Sequence, residues 1–377
     1  MNQVEPRSQG LSRFAADLPA VDHFVSLGEG NTPLLSLPVL ARQLGIGQLS
    51  AKLDSQNPTG SYKDRVAAMS LSLARQRGQN GWIATSSGNA GLSMAAYGTR
   101  AGLPGFLCLV ASAPLEKRQP LMPYSIGVVA VEGVGRRSKA STDNSLFDHV
   151  RSAAGRHDLY LAITAHEFNP EGMRGIDTIA YELVEQAPDA SHVYVPTGGG
   201  GLATAIGRGL RHRESAAKVV ICQPKGCSPI ARHLNHEIPS PVIETCESEI
   251  SALQIPHPPD GVPAAKTVLD SGGWATATED DAILAAQRRL AETEGVFVEP
   301  ASAASLACLE RDVAEARIGF DAHVVLILTG AGWKDLSRFG AEAAAILPAE
   351  LDEVPACVDD WAATSIPGFR RTDFVAR

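Results

Sequence analysis

Short apolar runs alternating with segments of helical period predict an α/β protein, with mostly parallel sheets covered by helices on both faces. Two observations carry that prediction. Trp82–Thr85, Phe106–Val110, Val128–Val131, His192–Val195, Val219–Cys222 and Val324–Leu328 are each short and rich in apolar or β-branched residues. Most are followed by a glycine- or serine-containing turn and a stretch whose apolar positions recur three and four apart. Glycine is also frequent, 35 of 377 residues, which suits many tight turns from strand to helix.

Taken in order, residues 1 to about 25 are polar and read as a loose arm. Gly28-Glu29-Gly30-Asn31-Thr32-Pro33-Leu34 is a turn-rich entry, followed by a helix over Pro38–Leu44 and a strand over Leu49–Leu53. Asn57-Pro58-Thr59-Gly60 is loop chemistry. Ser61 then offers a cap, with Asp64 three residues on as an imperfect capping box. Val66, Met69 and Leu73 place a helix over Tyr62–Arg77. Leu92, Ala95, Ala96 and Thr99 give the next helix, and a helix over 138–154 with a strand over 159–163 closes a first block. The second block has helices over 172–186, to about Leu210, 278–294 and 300–317. Residues 237–275, rich in Pro, Gly and Ser, read as a long functional or interface loop. The stretch after 345 reads as a peripheral tail.

Composition excludes several function classes. The net charge of -9 speaks against a nucleic-acid backbone as partner. No stretch reaches the eighteen or so apolar residues of a membrane span, and the first residues lack the apolar core of a signal peptide. The six cysteines, at 108, 222, 227, 246, 308 and 357, form no C-x-x-C pair and meet no histidine pair at ligand spacing. Reduced, mostly buried thiols in a cytoplasmic protein are the expectation, with no metal.

Three strand-to-helix turns carry candidate chemistry. Lys63 falls in the first turn of its helix, where the helix dipole opposes a positive charge and favours the free amine that Schiff-base chemistry uses. Gly198-Gly199-Gly200-Gly201 follows a strand and opens a helix; such a run lets an anion approach backbone N–H groups, although tight turns alone also produce glycine runs. It is neither G-x-G-x-x-G nor G-x-x-x-x-G-K-S/T, which argues against dinucleotide and P-loop readings. Ser86-Ser87-Gly88-Asn89 occupies a similar turn, where helix capping is the simpler role. Thr329, in Leu328-Thr329-Gly330-Ala331-Gly332, ends the last strand, where ligands gather in open α/β sheets.

The nonapeptide Asn57–Arg65 resembles the cofactor-lysine segment N-P-T-G-S-F-K-D-R of threonine synthases, with Tyr62 for Phe the one change. Those enzymes belong to the fold-type-II, tryptophan synthase beta-like family that binds pyridoxal phosphate. The G-E-G-x-T-P-L opening, the Ser86–Asn89 loop, the strand-end Thr329 and Glu294–Ser305 are similar too, so the resemblance covers residues 28 to about 335. It implies pyridoxal 5'-phosphate as cofactor and Lys63 as its Schiff-base lysine. Gly198, Gly199, Gly200 and Gly201 would hold the 5'-phosphate, Asn89 the ring oxygen and Thr329 the pyridine nitrogen. A neutral hydroxyl there damps the electron sink, which suits elimination and replacement. Substrate would meet Ser86, Ser87 and Asn89 through its carboxylate, and Lys52 and Arg174 through a leaving phosphate.

The resemblance also implies two α/β domains with the cofactor between them. A small domain would span 50–165, and a large one 28–49 with 166–345, flanked by an arm over 1–27 and a tail over 346–377. A homodimer is usual in the family. The expected activity is conversion of O-phosphohomoserine to threonine and phosphate. One departure bears on this: the family's N-S-V-N-P-x-R-x-E-G-Q-K-T becomes His166–Thr178, with Gly172 where a basic residue is expected. That keeps open β-elimination or β-replacement on serine, threonine or a phosphorylated analogue, in primary or specialised amino-acid metabolism.

Overall fold

A computed structural model describes residues 10–86, 88–111, 115–134 and 140–365, the side chains of 140–144 excepted. Residues 1–335 and 336–377 form two compact units. The first contains two sheets. Strands β1 (Leu34–Ser36), β2 (Gln48–Lys52), β7 (His192–Pro196), β8 (Lys218–Pro224), β9 (Trp274–Thr278) and β10 (His323–Ile327) build a six-stranded sheet in the order β1-β2-β10-β7-β8-β9. Only the β1–β2 pair is antiparallel. Strands β3 (Gly81–Thr85), β4 (Gly105–Val110), β5 (Gly127–Val131) and β6 (Leu159–Leu161) form a four-stranded parallel sheet, ordered β5-β4-β3-β6.

Parallel strands need crossovers, and helices supply them here. In the unit of 1–335 these are α1 (Pro38–Leu44), α2 (Lys63–Gln76), α3 (Asn89–Ala101), α4 (Leu115–Arg118), α5 (Ala140–His157), α6 (Asp177–Gln186) and α7 (Gly201–His212). They continue as α8 (Pro229–Leu234), α9 (Gly261–Ser271), α10 (Asp280–Glu294) and α11 (Pro300–Ala314). Because helices cover both faces of the larger sheet, every residue of β10 is buried, as are Val193–Pro196 in β7 and Val219–Pro224 in β8. The second unit holds α12 (Gly340–Ala344) and α13 (Val354–Ser365), the latter entered through a reciprocal capping box between Glu350 and Glu353. Among the described residues no helix is long and apolar enough to cross a membrane.

The α/β class and the mostly parallel sheets stand as expected, but several local expectations do not. Residues 10–27 are not a loose arm: Leu11, Phe14, Leu18 and Val25 are buried in the main core, with Phe14 edge-on to Tyr181 at 5.3 Å. The expected loop over 237–275 contains α9 and the first residues of β9. The tail beyond 345 contains α13. The domain boundary expected at residue 50 falls inside β2, which lies wholly in the six-stranded sheet. Five cysteines are buried and Cys357 is exposed.

Candidate active site

Each chemical station lies where a parallel strand ends, the edge of an open sheet at which ligands collect. Strand β7 runs into Gly198–Gly201, β10 into Thr329–Gly332, β3 into Ser86–Asn89, and β6 toward Thr164.

Lys63 is the first residue of α2, as its position after the N-P-T-G turn predicts. The local capping differs from the expectation. The Ser61 hydroxyl makes no capping bond and is buried with no hydrogen-bond partner. Asp64 does the closing work instead: its carboxylate accepts the Thr59 N–H at 2.6 Å and the Thr59 hydroxyl. Burial raises the proton affinity of Asp64 against those hydrogen bonds. Lys63 Nζ donates to the Thr164 hydroxyl at 3.0 Å and lies 4.8 Å from the centre of the Tyr62 ring. A half-buried amine held by one neutral hydroxyl is available for a covalent partner.

At the glycine run, backbone geometry explains the composition. Gly200 has φ of +91°, and a Cβ there would stand 2.4 Å from the Asp260 carbonyl oxygen. A Cβ on Gly198 would stand 2.7 Å from the Ala252 carbonyl oxygen, and one on Gly201 2.6 Å from Met173 Cε. Gly199 differs: its nearest neighbour, Pro259 Cδ, would be at an ordinary 3.5 Å. The first N–H groups of α7 lack intrahelical acceptors by helix geometry, so the run forms an anion cradle at a helix N-terminus.

Beside the cradle sit three residues that sequence reasoning missed. The Asp260 carboxylate accepts the His166 N–H at 3.0 and 2.9 Å. Burial, opposed by the His166 and Glu167 amides and by the charge of Lys63, raises its carboxyl to about 6. The His166 ring contacts the Gly201 carbonyl at 3.2 Å and Arg208 Nη1 at 3.4 Å. Burial and then the Arg208 charge push its imidazole down to about 4, so it is neutral at physiological pH. Thr164, which holds Lys63, carried no motif of its own.

Asn89 and Thr329 are both built into polar nodes. The Asn89 amide donates to both oxygens of Glu299, at 3.0 and 3.1 Å, and its Oδ1 accepts from Lys334 at 2.9 Å. Thr329 Oγ1 is 2.9 Å from Ser302 Oγ, and Ser302 also accepts the Gly330 N–H at 2.8 Å. Gly330 has no room for a side chain, since a Cβ would meet Glu299 Oε1 at 2.2 Å. Glu299 and Ser302 were visible in the Glu-Pro-Ala-Ser segment but had no chemistry assignable from spacing alone. Ser86 Oγ accepts the N–H groups of Gly88 and Gly91, at 3.2 and 2.9 Å, which is capping work at the start of α3. Ser87 lies outside the described residues.

Two expected substrate contacts are drawn elsewhere. Lys52 is fully buried and directs its ammonium to Glu182 at 2.6 Å, the Thr32 carbonyl at 2.7 Å and Gln186 at 2.7 Å. An ammonium has three donors, so Lys52 is a structural charge rather than a substrate ligand. It shares Glu182 with Arg65, whose guanidinium also pairs with Asp54 at 2.9 Å. Arg174 binds the Asp177 carboxylate at 2.7 Å and the Asp17 carbonyl at 3.0 Å, and Arg208 binds the same Asp177. Gly172 could not be basic here: a Cβ would stand 2.2 Å from Ser70 Oγ.

These residues fit pyridoxal phosphate on three observations. The glycine cradle suits a phosphate, the orphaned buried hydroxyl of Ser61 lies two residues before Lys63, and a neutral hydroxyl pair stands at Thr329. Among the described residues no group of three or more His, Cys, Asp or Glu is placed to hold a metal ion.

A family model described as "Pyridoxal-phosphate dependent enzyme" matches residues 25–330. Curated relatives include "Threonine synthase" of Methanosarcina acetivorans, 33% identical over 347 residues, covering 89% of this chain and 82% of that protein. "Threonine synthase" of Methanocaldococcus jannaschii is likewise 33% identical over 347 residues, covering 88% and 82%. Among solved structures, maize serine racemase superposes with a TM-score of 0.68 at 19% identity, covering 84% of this chain and 94% of that one. The processed form of threonine deaminase isoform 2 from Solanum lycopersicum gives 0.67 at 17%, covering 87% and 82%. Likeness at that identity speaks to the fold.

Proposed function

The chain belongs to the family of pyridoxal-phosphate dependent enzymes, and from that premise we propose a threonine synthase-like lyase acting on an amino acid with a leaving group at Cγ or Cβ. In the first form of this reading the substrate is O-phosphohomoserine and the products are threonine and phosphate. The observation that supports the proposal is a set of contacts linking these stations: beside Lys63, Ser61 bridges to Gly330 and the Tyr62 N–H meets the Thr329 carbonyl at 3.0 Å, Lys334 reaches Asn89 at 2.9 Å, and the Lys63 charge acts on Asp260 beside the glycine run.

When bound, pyridoxal phosphate supplies an electron sink conjugated to the substrate Cα. Lys63 would hold the cofactor, and its amine would carry protons between substrate carbons. Thr164, 3.0 Å away, keeps that amine in reach. Gly198, Gly199, Gly200 and Gly201 would hold the phosphate, Asn89 the ring oxygen and Thr329 the ring nitrogen. Ser86 and Ser87, with Asn89, would hold the substrate carboxylate. Excluding water from such a site would protect reactive species.

One observation favours a second form, β-elimination or β-replacement on serine, threonine or a phosphorylated analogue. The two cations expected to hold a leaving phosphate, Lys52 and Arg174, are bound by Glu182 and Asp177. Turnover of O-phosphohomoserine against O-phosphoserine, serine and threonine tests both forms. Phosphate release with threonine formation from the first supports the synthase, whereas 2-oxo acid formation from the others supports the second. No turnover of any of them sinks the proposal. A cytoplasmic homodimer completes the reading on family resemblance, and light scattering in solution tests the dimer.

A further inference from the structure

We infer that Lys334 is a positioning residue for the cofactor: it fixes the Asn89 carboxamide with its NH2 turned from the ammonium toward the ring oxygen, and leaves a positive charge at the other end of the amide. The inference rests on the reading of Asn89 as the ring-oxygen ligand. Lys334 closes the short turn Gly332–Lys334, five residues after Thr329. Its stem crosses the loop that leads into Lys63, since a Cβ on Gly60 would stand 2.9 Å from Lys334 Cε. Gly60, at φ of +79°, accepts this approach because it has no side chain.

The chemistry of the contact removes an ambiguity. A carboxamide can sit in either of two flipped orientations that look alike, but an ammonium has donors only. The 2.9 Å contact from Lys334 Nζ therefore requires Oδ1 of Asn89, and the NH2 must face away. It faces Glu299, at 3.0 and 3.1 Å. An incoming oxygen on that side meets a donor whose direction is already set. The charged groups around Lys334 come from several elements: Asp64 on α2, Lys117 on α4, and Glu299 at the start of α11. Glu299 is itself buried, which raises its proton affinity against Lys117 and Lys334; in such a low dielectric the Lys334 charge acts strongly on a neighbouring oxygen. Burial, opposed by Glu299 and Asp64, also brings Lys334 down to about 8.

The test uses the full chain reconstituted with pyridoxal phosphate, read by cofactor dissociation constant and by the pH midpoint of the visible absorbance. K334M is expected to weaken cofactor binding about tenfold and to raise the midpoint by about one pH unit, the effect of removing one nearby charge. K334Q, which can still donate to Oδ1, recovers affinity but not the midpoint, separating orientation from charge. In an N89A background, K334M changes affinity less than twofold, because the residue acts through the missing amide. Normal affinity with an unmoved midpoint in K334M and K334Q overturns the inference, as does full multiplication of the two effects in the double variant. N89A with unchanged affinity and midpoint overturns the Asn89 reading instead. Melting of the apoproteins shows which variants fold, and K334Q alone decides the midpoint if K334M does not.

Discussion

Replacing Glu182 by Gln strikes the buried charge node that anchors the lysine-bearing segment. The Glu182 carboxylate accepts from Arg65 Nη1 at 2.6 Å, Arg65 Nη2 at 2.9 Å, Lys52 at 2.6 Å and the Asn31 N–H at 2.7 Å. Arg65 and Lys52 are both fully buried, and Asp54 is the other carboxylate in the node. The wild-type node balances two cations with two anions. Gln leaves two cations against one, and turns an NH2 donor toward groups that also donate. Removing one partner of a buried pair costs about 3–5 kcal/mol, a large share of a total near 5–15 kcal/mol.

The pH dependence gives a second, independent handle. Burial raises Glu182, but the Arg65 and Lys52 charges and hydrogen bonds outweigh it and hold the carboxyl at about 2, against 4.5 when unfolded. A depressed acid contributes stability above its unfolded value and loses it as pH falls toward the folded one. The lowering corresponds to roughly 3 kcal/mol at neutral pH, of which roughly 2 is gone by pH 3. Equilibrium urea unfolding at pH 7 and pH 3 reads both quantities. E182Q is expected to lower stability by at least about 3 kcal/mol at pH 7, and the gap to wild type should narrow by about 2 at pH 3. A loss under about 1 kcal/mol at pH 7, or a gap independent of pH, refutes the reasoning.

Other outcomes follow from the same geometry. Gly200→Ala puts a Cβ 2.4 Å from the Asp260 carbonyl at a positive φ, so cofactor affinity should fall at least about tenfold, measured by equilibrium dialysis. Asp260→Asn removes a carboxyl that burial raises to about 6; a raised acid loses stability as pH climbs from 3.8 through 6. This variant should therefore melt higher than wild type at pH 8 and lose that advantage at pH 4; a lower melting temperature at pH 8 contradicts the assignment. Thr329→Ala removes the hydroxyl pair with Ser302 and should lower kcat at least tenfold while leaving cofactor loading within a few-fold. Loss of loading without loss of kcat in the loaded fraction would count against a role at the ring nitrogen.

What could be read from residues alone divides by distance along the chain. The Asn57–Arg65 segment, the glycine run and the Ser86–Asn89 turn are local: strand, turn and helix start lie within a dozen residues, so spacing reveals them. Lys52 was misread because its partner Glu182 is 130 residues away, and no local pattern distinguishes a buried ion pair from a substrate ligand. His166, Asp260 and Arg208 meet only when the strand ends of both sheets converge. The start of the chain carried a signal that its polarity masked: Leu11, Phe14 and Leu18 recur at helical spacing and all three are buried. In α9, Pro263 and Gly261 suggested a loop, yet they occupy the first turn, where proline and a missing side chain are tolerated.

The measurement that bears most directly on the account is chemical trapping of the cofactor. Borohydride reduction of the reconstituted protein, followed by peptide mapping, should place a single pyridoxyl label on the peptide containing Lys63. A label on another lysine, or none on Lys63 in protein that binds the cofactor, would contradict the site proposed here.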